Sequence, residues 1–446
     1  MGEPAAAMVL ARTIVDRLRR AGHSALLVGG CVRDLLLGRP PKDFDVATSA
    51  QPDELLRLFP VADQVGAHFG VVLVRENGAQ VEVATFRSDL GYADGRRPVA
   101  VHFEMDPRQD VLRRDFTINA LLMDPVSGEI FDYVGGRADL GAKRIRAIGE
   151  PVARFREDHL RLLRAVRFAA RLGFEIEPGT SAAIRAQAPL IHSVAAERVR
   201  DEIARILTEG GARRGFELLD ETGLLQEVLP EIAAMKGVAQ PPEFHPEGDV
   251  WTHTLIMLEG LDEPSLTLAL GVLLHDVGKP ATFRVAERIR FDGHVEKGIE
   301  IAHALMSRLR FPNHVIEAVE ALIANHMKFM ETPRMRESTL KRFMRLPDFE
   351  EHMALHRLDC LSSHGHLDNY EFLRRKQMEM PPEQLKPTPL LTGRDLIAAG
   401  YRPGPMFGIV LSEIEDAQLE GRISSSEEAL RLARDKLDLP EESASH

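Results

Sequence analysis

The chain has 446 residues, of which 44% are hydrophobic, and a formal net charge of −12 at pH 7. This length is more than one ordinary hydrophobic core supports, so we expect roughly two to four domains. No run reaches the roughly 20 apolar residues that span a bilayer, so no membrane partner is expected. The negative charge argues against a generally basic nucleic-acid binder but leaves room for a local basic groove.

The amino-terminal segment 1–20 lacks a basic start, and its pattern predicts an amphipathic helix over residues 8–21 instead of a signal peptide. The two cysteines, Cys31 and Cys360, are too few for a disulfide framework. Such sparse cysteine usage is typical of a reducing compartment. We therefore expect a cytoplasmic protein.

The first motif spans residues 25–48 and reads ALLVGGCVRDLLLGRPPKDFDVAT. Its apolar start turns at Gly29 and Gly30 into an amphipathic helix, which a glycine and a Pro-Pro pair close before an extended run. Asp43 and Asp45, two apart in that run, would share one face of a strand and lie close together. A hard cation such as Mg²⁺ would relieve their repulsion, and the glycine turn would let backbone N–H groups approach a polyphosphate.

The full string, LVGG-x-VRD-x-LLG followed by DFD, resembles motif A of the class II nucleotidyltransferases of the polymerase-beta superfamily. That family contains the tRNA nucleotidyltransferases, or CCA-adding enzymes, and the bacterial poly(A) polymerases. The resemblance implies that Asp43 and Asp45 are catalytic and hold two Mg²⁺ ions. The residues of this motif that it assigns to nucleotide binding are Gly29, Gly30 and Arg33.

Two strands around a turn at Asn77-Gly78 are predicted within residues 66–89. On the second strand, Val81 and Val83 face one way and Glu82 the other. Spacing alone makes Glu82 a solvent-facing strand residue. Because an EVxTFR string follows motif A in the family, the resemblance implies that Glu82 is the third catalytic carboxylate.

The polar, glycine-rich segment 88–106 predicts a loop that could cover the site. The string RRDFTINA that follows matches motif B of the same family. Arg113 and Arg114 would otherwise be a solvated charge pair before a helix. The resemblance implies that they hold ribose or triphosphate through bidentate contacts.

One helix is predicted over residues 154–174, RFREDHLRLLRAVRFAARLGF, with apolar side chains on one arc and charged side chains roughly opposite. That pattern usually belongs to a solvated helix. The string also resembles the EDxxRxxRxxRF element with which the family selects the incoming base. The resemblance therefore also assigns Arg164 to nucleotide binding.

Base selection can be argued from Asp158 and Arg161, which lie one turn apart. An Asp accepts from an exocyclic amino group and an Arg donates to a ring nitrogen. Cytosine and adenine offer that order on their Watson–Crick edges, whereas uracil and guanine reverse it. We expect Asp158 and Arg161 to accept CTP and ATP, with Glu157 orienting Arg161.

From His245 onward, several helix boundaries carry His or Asp. The adjacent His275-Asp276, placed between an apolar helix and a Gly-Lys-Pro stop, resembles the signature of the HD phosphohydrolase superfamily. Imidazole and carboxylate together suit a divalent transition metal that activates water. Whether this site turns over a substrate stays open. The ligands that the resemblance implies are His253, His275, Asp276, His294, His326 and Asp359.

We therefore expect an α+β nucleotidyltransferase head with a mixed sheet and helices, followed by all-α neck, HD and tail domains. The predicted ranges are 1–150, 151–236, 237–370 and 371–446. The implied activity is addition of CCA to the 3′ end of tRNA from CTP and ATP. No DNA partner is expected.

Three alternatives remain. A poly(A) polymerase and an A-adding tRNA nucleotidyltransferase share the same fold, although the string VGAHFGVVLV at residues 65–74 favours CCA addition. The third belongs to another class, a metal-dependent HD phosphohydrolase whose head binds RNA without catalysis. The paired aspartates argue against it, because a passive RNA-binding surface gains nothing from crowded carboxylates facing phosphate.

Overall fold

The structure is a computed structural model, and it describes residues 3–60, 62–64, 70–92 and 98–437. Residues 65–69, which carry much of the preference for CCA addition over poly(A) addition, lie outside the described residues. The chain divides into two compact units. The first comprises Met1–Lys236, Leu261–Ala269 and His303–Asn313, and the second comprises Gly237–Gly260, Leu270–Ala302 and His314–His446.

A seven-stranded mixed sheet forms the centre of the head, in the order β3-β4-β5-β2-β1-β8-β9. All of its pairings are antiparallel except that between β2 and β5. The elements of the head are α1 (Glu3–Arg20), β1 (Ala25–Val28), α2 (Gly30–Leu36), β2 (Asp45–Thr48), α3 (Pro52–Leu58), β3 (Asp63–Gln64), β4 (Val71–Glu76), β5 (Ala79–Thr85), β6 (Arg87–Tyr92), β7 (Pro98–Phe103), α4 (Pro107–Leu112), a 3₁₀ helix (Thr117–Asn119), β8 (Leu122–Met123), β9 (Ile130–Phe131), α5 (Gly136–Gly141) and β10 (Arg144–Ile145).

One face of this sheet is covered by buried apolar side chains, so the polar residues at the strand ends are held on a rigid base. The cluster consists of Leu26, Val28, Ala47, Phe86, Val111, Ala120, Leu122 and Ile148.

The predicted β4–β5 hairpin is confirmed. Asn77 and Gly78 have φ of 51° and 79°, and two successive positive φ values are what a tight turn between twisted strands requires.

The predicted loop over residues 88–106 is wrong for most of its length. Strands β6 and β7 pair antiparallel there, with Arg87 opposite Phe103 and Leu90 opposite Ala100. The polar composition concealed a solvent-exposed hairpin, in which backbone hydrogen bonds need no apolar alternation. Residues 93–97 lie outside the described part of the chain.

Helices build the neck, and the predicted single helix over 154–174 is two helices. Asp158 has φ −145° and ψ 107°, an extended conformation that ends α6, while its carboxylate accepts the Leu160 N–H at 3.1 Å. The elements are α6 (Pro151–Glu157), α7 (Arg161–Leu172), β11 (Glu175–Ile176), α8 (Pro178–Gln187), a 3₁₀ helix (Ala188–Ser193), α9 (Ala196–Thr208), α10 (Ala212–Glu221), α11 (Leu224–Val228) and α12 (Pro230–Ala233).

The remainder of the chain is mainly helical, with one short hairpin. Among the described residues, no helix combines the length and apolarity that crossing a bilayer demands. The elements are α13 (Val250–Glu259), α14 (Leu266–Leu274), α15 (Lys279–Thr282), β12 (Arg284–Val285), β13 (Ile289–Arg290), α16 (His294–Arg308), α17 (Asn313–Asn325), a 3₁₀ helix (His326–Arg334), α18 (Glu337–Met344), α19 (Phe349–Ser362), α20 (Asp368–Glu379), α21 (Pro382–Leu385), α22 (Gly393–Ala398), α23 (Pro405–Leu419) and α24 (Ser426–Arg434).

The predicted fold class, an α+β head with a mixed sheet followed by helical domains, is confirmed. The domain boundaries at 150, 236 and 370 stay predictions.

Candidate active site and candidate metal centre

Strands β2 and β5 bring two carboxylates together. Asp45, the first residue of β2, lies in register with Glu82 of β5. Residues opposite each other on neighbouring strands share a face of the sheet, so the two side chains emerge side by side. Asp43 lies before the strand and not within it as expected, because the pairing with β5 begins at Asp45. Asp43 still lines the same cavity as Asp45.

At Asp45, burial and the neighbouring acids outweigh the positive charge of Arg114. Burial, and then the neighbouring Glu82, raise the pKa of Asp45 to about 6, with Asp43 adding to the effect and Arg114 opposing it. A set of carboxylate oxygens in this condition fits a hard divalent cation, which would take its remaining ligands from phosphates and water. Asp43, Asp45 and Glu82 are the residues that could hold it.

The glycine turn adjoins the acids. Gly29 has φ +81°, and a Cβ on it would lie 3.9 Å from Asp45 Oδ2 and 3.3 Å from Arg114 Nη1. Only a residue without a side chain leaves this space to a ligand without backbone strain. Gly29 and Gly30 both line the cavity.

Arg113 and Arg114 are fixed by Asp110, a residue that the sequence analysis missed. Both guanidinium groups form paired contacts with its carboxylate, at 2.6 and 3.0 Å for Arg113 and 2.9 and 3.2 Å for Arg114. Asp110 is 1% exposed, and its described side-chain contacts are with these two arginines. The pair follows helix α4 and is separated by two residues from the short 3₁₀ helix Thr117–Asn119, the helix that comes after it. The i, i+3 and i, i+4 spacing was the available signal.

Arg33 and Arg164 are also held by protein partners at the cavity wall. Arg33 donates to Asn119 Oδ1 at 2.6 Å, and Arg164 donates twice to Asp115 Oδ2 at 2.8 and 2.9 Å. Both guanidinium groups lie over the ring of Phe168, 5.4 and 5.2 Å from its centroid. Their orientation is therefore set before any ligand arrives.

The expected contact between Glu157 and Arg161 is present, at 2.6 Å. Arg161 also donates to the carbonyl oxygens of Arg154 and Arg113, at 3.0 and 2.9 Å. Asp158 meets Arg198 of helix α9, with distances of 2.9 and 3.1 Å. Nothing local in the sequence links Asp158 to a residue forty positions away, so this partner was missed.

These side chains surround one cavity of about 560 Å³. Glu82 is exposed and does not line this cavity, whereas Asp45, its neighbour on β2, does. The predicted residues that the cavity brings together are Gly29, Gly30, Arg33, Asp43, Asp45, Arg113, Arg114, Asp158, Arg161 and Arg164.

The second unit holds a cluster of imidazoles and carboxylates. The described His, Cys, Asp and Glu side chains that converge in threes within 4.8 Å all belong to it. One set is His253, His275 and Asp359, and a second is Asp276, His294 and His326. All six residues that were predicted as HD ligands therefore meet here.

The four predicted histidines of this cluster present the same nitrogen inward. Three of them direct Nδ1 at a backbone carbonyl oxygen, His275 at Val272, His294 at Phe291 and His326 at Ile323, over 2.7 to 2.9 Å. This contact leaves each Nε2 for the centre, which is how metal-binding histidines are usually oriented. The Nε2 atoms of His253 and His275 are buried, and each lies 3.2 Å from a carboxylate oxygen, that of Asp359 and that of Asp276 respectively. Such a donor set fits a divalent transition metal.

His253 depends on a residue outside the predicted set. Its Nδ1 lies 2.7 Å from Glu247 Oε1 and its Nε2 lies 3.2 Å from Asp359 Oδ1. Burial lowers the pKa of His253, but the hydrogen bonds to Asp359 and Glu247 outweigh burial and raise it to about 9. Glu247, six residues upstream in a Pro- and Gly-rich segment, offered no sequence signal of this role.

The fold and the two sites define a nucleotidyltransferase that carries an HD domain. Three family models match the chain. They are "Poly A polymerase head domain" over residues 25–146, "Probable RNA and SrmB- binding site of polymerase A" over 173–236 and "HD domain" over 249–364.

Within that class, the chain belongs to the family of CCA-adding enzymes. It is 33% identical to the CCA-adding enzyme of Levilactobacillus brevis over 430 residues, 94% of this chain and 96% of that enzyme. It is 47% identical to the CCA-adding enzyme of Geobacillus thermodenitrificans over 220 residues, which span 49% of this chain and 54% of that relative. The crystal structure of the Bacillus stearothermophilus CCA-adding enzyme in complex with CTP matches with a TM-score of 0.74 at 28% identity and covers 98% of both chains.

Proposed function

We propose that this chain extends the 3′ end of tRNA with CCA, using CTP and ATP, and that Mg²⁺ supports the reaction at Asp43, Asp45 and Glu82. The observation that carries this proposal is the register of Asp45 with Glu82 beside a cavity walled by arginines. A relative that covers the whole chain was solved with CTP. A cytoplasmic location belongs to the same proposal, in keeping with two free thiols.

The side chains divide the work among the parts of the nucleotide. Arg113 and Arg114, preset by Asp110, bind the triphosphate. Asp158 accepts from the exocyclic amino group of the base, and Arg161 donates to its ring nitrogen. Bound at the carboxylates, divalent ions would lower the pKa of the terminal ribose hydroxyl and neutralise the leaving pyrophosphate.

The test is nucleotide addition to three tRNA transcripts, which lack CCA, lack only the final A, or are complete. We expect labelled CTP to extend the first, labelled ATP to extend the second, and neither to extend the third. ATP-only extension of the second transcript would identify an A-adding enzyme. Processive ATP tailing of any RNA would identify a poly(A) polymerase.

A second activity is favoured by the six-ligand cluster in the HD domain. We propose that it binds a divalent transition metal and hydrolyses phosphoesters, with Lys279 holding Asp276 at 2.6 Å. Release of a chromogenic alcohol from a phosphodiester by the metal-loaded protein tests this. Stoichiometric metal without any turnover of phosphoesters would reduce the site to a structural one.

A further inference from the structure

Asp158 has most of its hydrogen-bonding capacity filled before a nucleotide binds. A carboxylate offers roughly four acceptor positions. Oδ1 accepts from the Leu160 N–H at 3.1 Å and from Arg198 Nη1 at 3.1 Å, and Oδ2 accepts from Arg198 Nη2 at 2.9 Å. Within the described part of the chain, these contacts leave one acceptor position, on Oδ2.

The hydrogen-bond donors of Arg161 complement the open acceptor of Asp158. A guanidinium carries five N–H donors, and three of them go to Glu157, the Arg154 carbonyl and the Arg113 carbonyl. Within the described residues, the other two donors, on Nε and Nη2, have no partner, and Arg161 lines the same cavity as Asp158. One acceptor next to a donor is the order that the cytosine and adenine edges require.

Arg198 is therefore what reduces Asp158 to a single acceptor. A carboxylate with both oxygens open accepts two parallel donors, and the Watson–Crick edge of guanine presents such a pair in N1–H and the N2 amino group. An open carboxylate can also turn to accept the N3–H of uracil. The fork of Arg198 occupies one position on each oxygen and fixes the plane of the carboxylate.

Helix α9 is built to hold this fork in place. Arg198 and Glu202 of α9 pair with Asp158 and Arg167, the second pair at 2.7 Å. Glu209, the residue that follows α9, lies 3.5 Å from Arg171. These positions recur every four and seven residues and so lie along one face of α9. The Arg198 side chain, 25% exposed, thus starts from a backbone that further ion pairs anchor.

We propose that Arg198 is a specificity-determining positioning residue, which leaves Asp158 one acceptor for the amino group of cytosine or adenine and thereby refuses guanine and uracil. This inference rests on the proposed function, because it needs Asp158 and Arg161 to read the base. Arg198 itself touches no nucleotide in this scheme.

The experiment measures kcat/KM for CTP, ATP, GTP and UTP with a tRNA primer for Arg198→Ala and Arg198→Lys. We expect the CTP:GTP preference to fall roughly tenfold or more in Arg198→Ala, the effect of losing a hydrogen-bonded charge contact. Arg198→Lys should give a smaller loss, because an ammonium cannot grip both oxygens. Arg200→Ala, two residues along α9 and paired with Asp201, should leave the preference unchanged.

Two results would overturn the inference. If Arg198→Ala and Arg198→Lys lower kcat/KM equally for all four nucleotides, Arg198 only supports the fold. If Arg198→Ala does not fold, as thermal unfolding would reveal, an unchanged preference in Arg198→Lys has the same meaning. Asp158→Ala separates the two levels. If Asp158→Ala loses the CTP:GTP preference while both Arg198 variants keep it, only the role of Arg198 is wrong. If Asp158→Ala keeps the preference, Asp158 does not read the base at all.

Discussion

Asp45 is a residue whose charge the folded protein tolerates poorly by itself. Its pKa is raised to about 6 by burial and Glu82, so the metal-free protein favours the protonated form more than the unfolded chain does. A cation bound at Asp45 would remove this unfavourable interaction, and the free energy regained would add to the affinity for the cation. Local stability is given up here for ligand affinity, as is common at active sites.

The first prediction concerns stability and pH for Asp45→Asn. An acid with a raised pKa in the folded state destabilises the protein as pH rises, here from about 4 to about 6. In chelator at pH 7, Asp45→Asn should therefore be more stable than the parent by up to about 3 kcal/mol, and the difference should vanish near pH 4. Chemical denaturation at both pH values measures this.

Divalent ions provide the control for this experiment. Mg²⁺ should raise the melting temperature of the parent protein more than that of Asp45→Asn, because ligand binding stabilises only the state that binds. A variant that is less stable than the parent in chelator at pH 7 would contradict the account.

The second prediction concerns Glu82, which spacing alone assigns to solvent. Glu82→Gln keeps the shape but removes the charge beside Asp45, and nucleotide addition should fall by roughly a hundredfold. Glu76→Gln, on the neighbouring strand β4 and exposed, is the matched control and should be active. Equal activity of the two variants in the tRNA extension assay would remove Glu82 from the site.

At the scale of elements, helices α7 and α9 contact each other through charged side chains, although the charged face of a helix usually points to solvent. Arg167 and Glu202 are each 4% exposed and lie 2.7 Å apart. Burial lowers the pKa of Arg167, and the nearby Glu202 opposes that shift. The charged face of α7, which by pattern alone would usually be solvated, both lines the cavity and contacts another helix.

The third prediction follows from this buried pair. Glu202→Ala removes the nearer of the two carboxylates that pair with Arg167 among the described residues and leaves Glu209 at 3.4 Å. It should cost about 3 kcal/mol of unfolding free energy. Asp201→Ala, the next residue toward the helix start and exposed, should change the stability by less than about 0.5 kcal/mol. Urea denaturation compares them, and a cost for Glu202→Ala no larger than for Asp201→Ala would contradict the prediction.

The contacts in this part of the molecule were only partly predictable from the sequence. The contact of Glu157 with Arg161 was expected on one helix, and it is present although the two residues lie on either side of the break at Asp158. The break at Asp158 was not predicted, and neither was its contact with Arg198, which tertiary packing brings from forty residues away. Periodicity predicts a continuous helix wherever no Gly or Pro intervenes, and here a capping aspartate ended it.

For the whole molecule, the two candidate sites lie in different units and are assembled from different residue types. The head offers oxygen ligands and arginines, whereas the HD domain offers imidazoles. Different metals and different chemistries are therefore expected in one chain.

The fourth prediction assigns each activity to its site. Asp43→Ala should abolish tRNA extension and leave both the transition-metal content and any phosphoester hydrolysis unchanged. Asp276→Ala should lower metal content and hydrolysis while extension continues. Elemental analysis and the two assays on each variant give the answer, and a loss of tRNA extension in Asp276→Ala would show that the sites are not independent.

Both candidate sites were predicted from the sequence for the same reason. Each is marked by a short signature whose residues are adjacent or nearly adjacent in sequence, so it can be recognised without knowing how the chain packs. These signatures are Asp43 with Asp45, and His275 with Asp276. Their supporting residues were not found, because Asp110 and Glu247 gain their roles only from the fold. The position of Glu82 opposite Asp45 likewise needed the pairing of β2 with β5.

The parallel pairing of β2 with β5 fixes which side chains of β5 lie beside Asp45, but it does not fix the length of the turn between β4 and β5. Side chains alternate along a strand, so a slip of β5 by a single residue would carry Glu82 to the far side and set a valine beside Asp45. Extra residues at Asn77-Gly78 leave the phase intact, whereas one added between Gly78 and Glu82 must be absorbed as a bulge. A peptide tag can therefore be grafted at the turn of a working enzyme, but not a few positions further along.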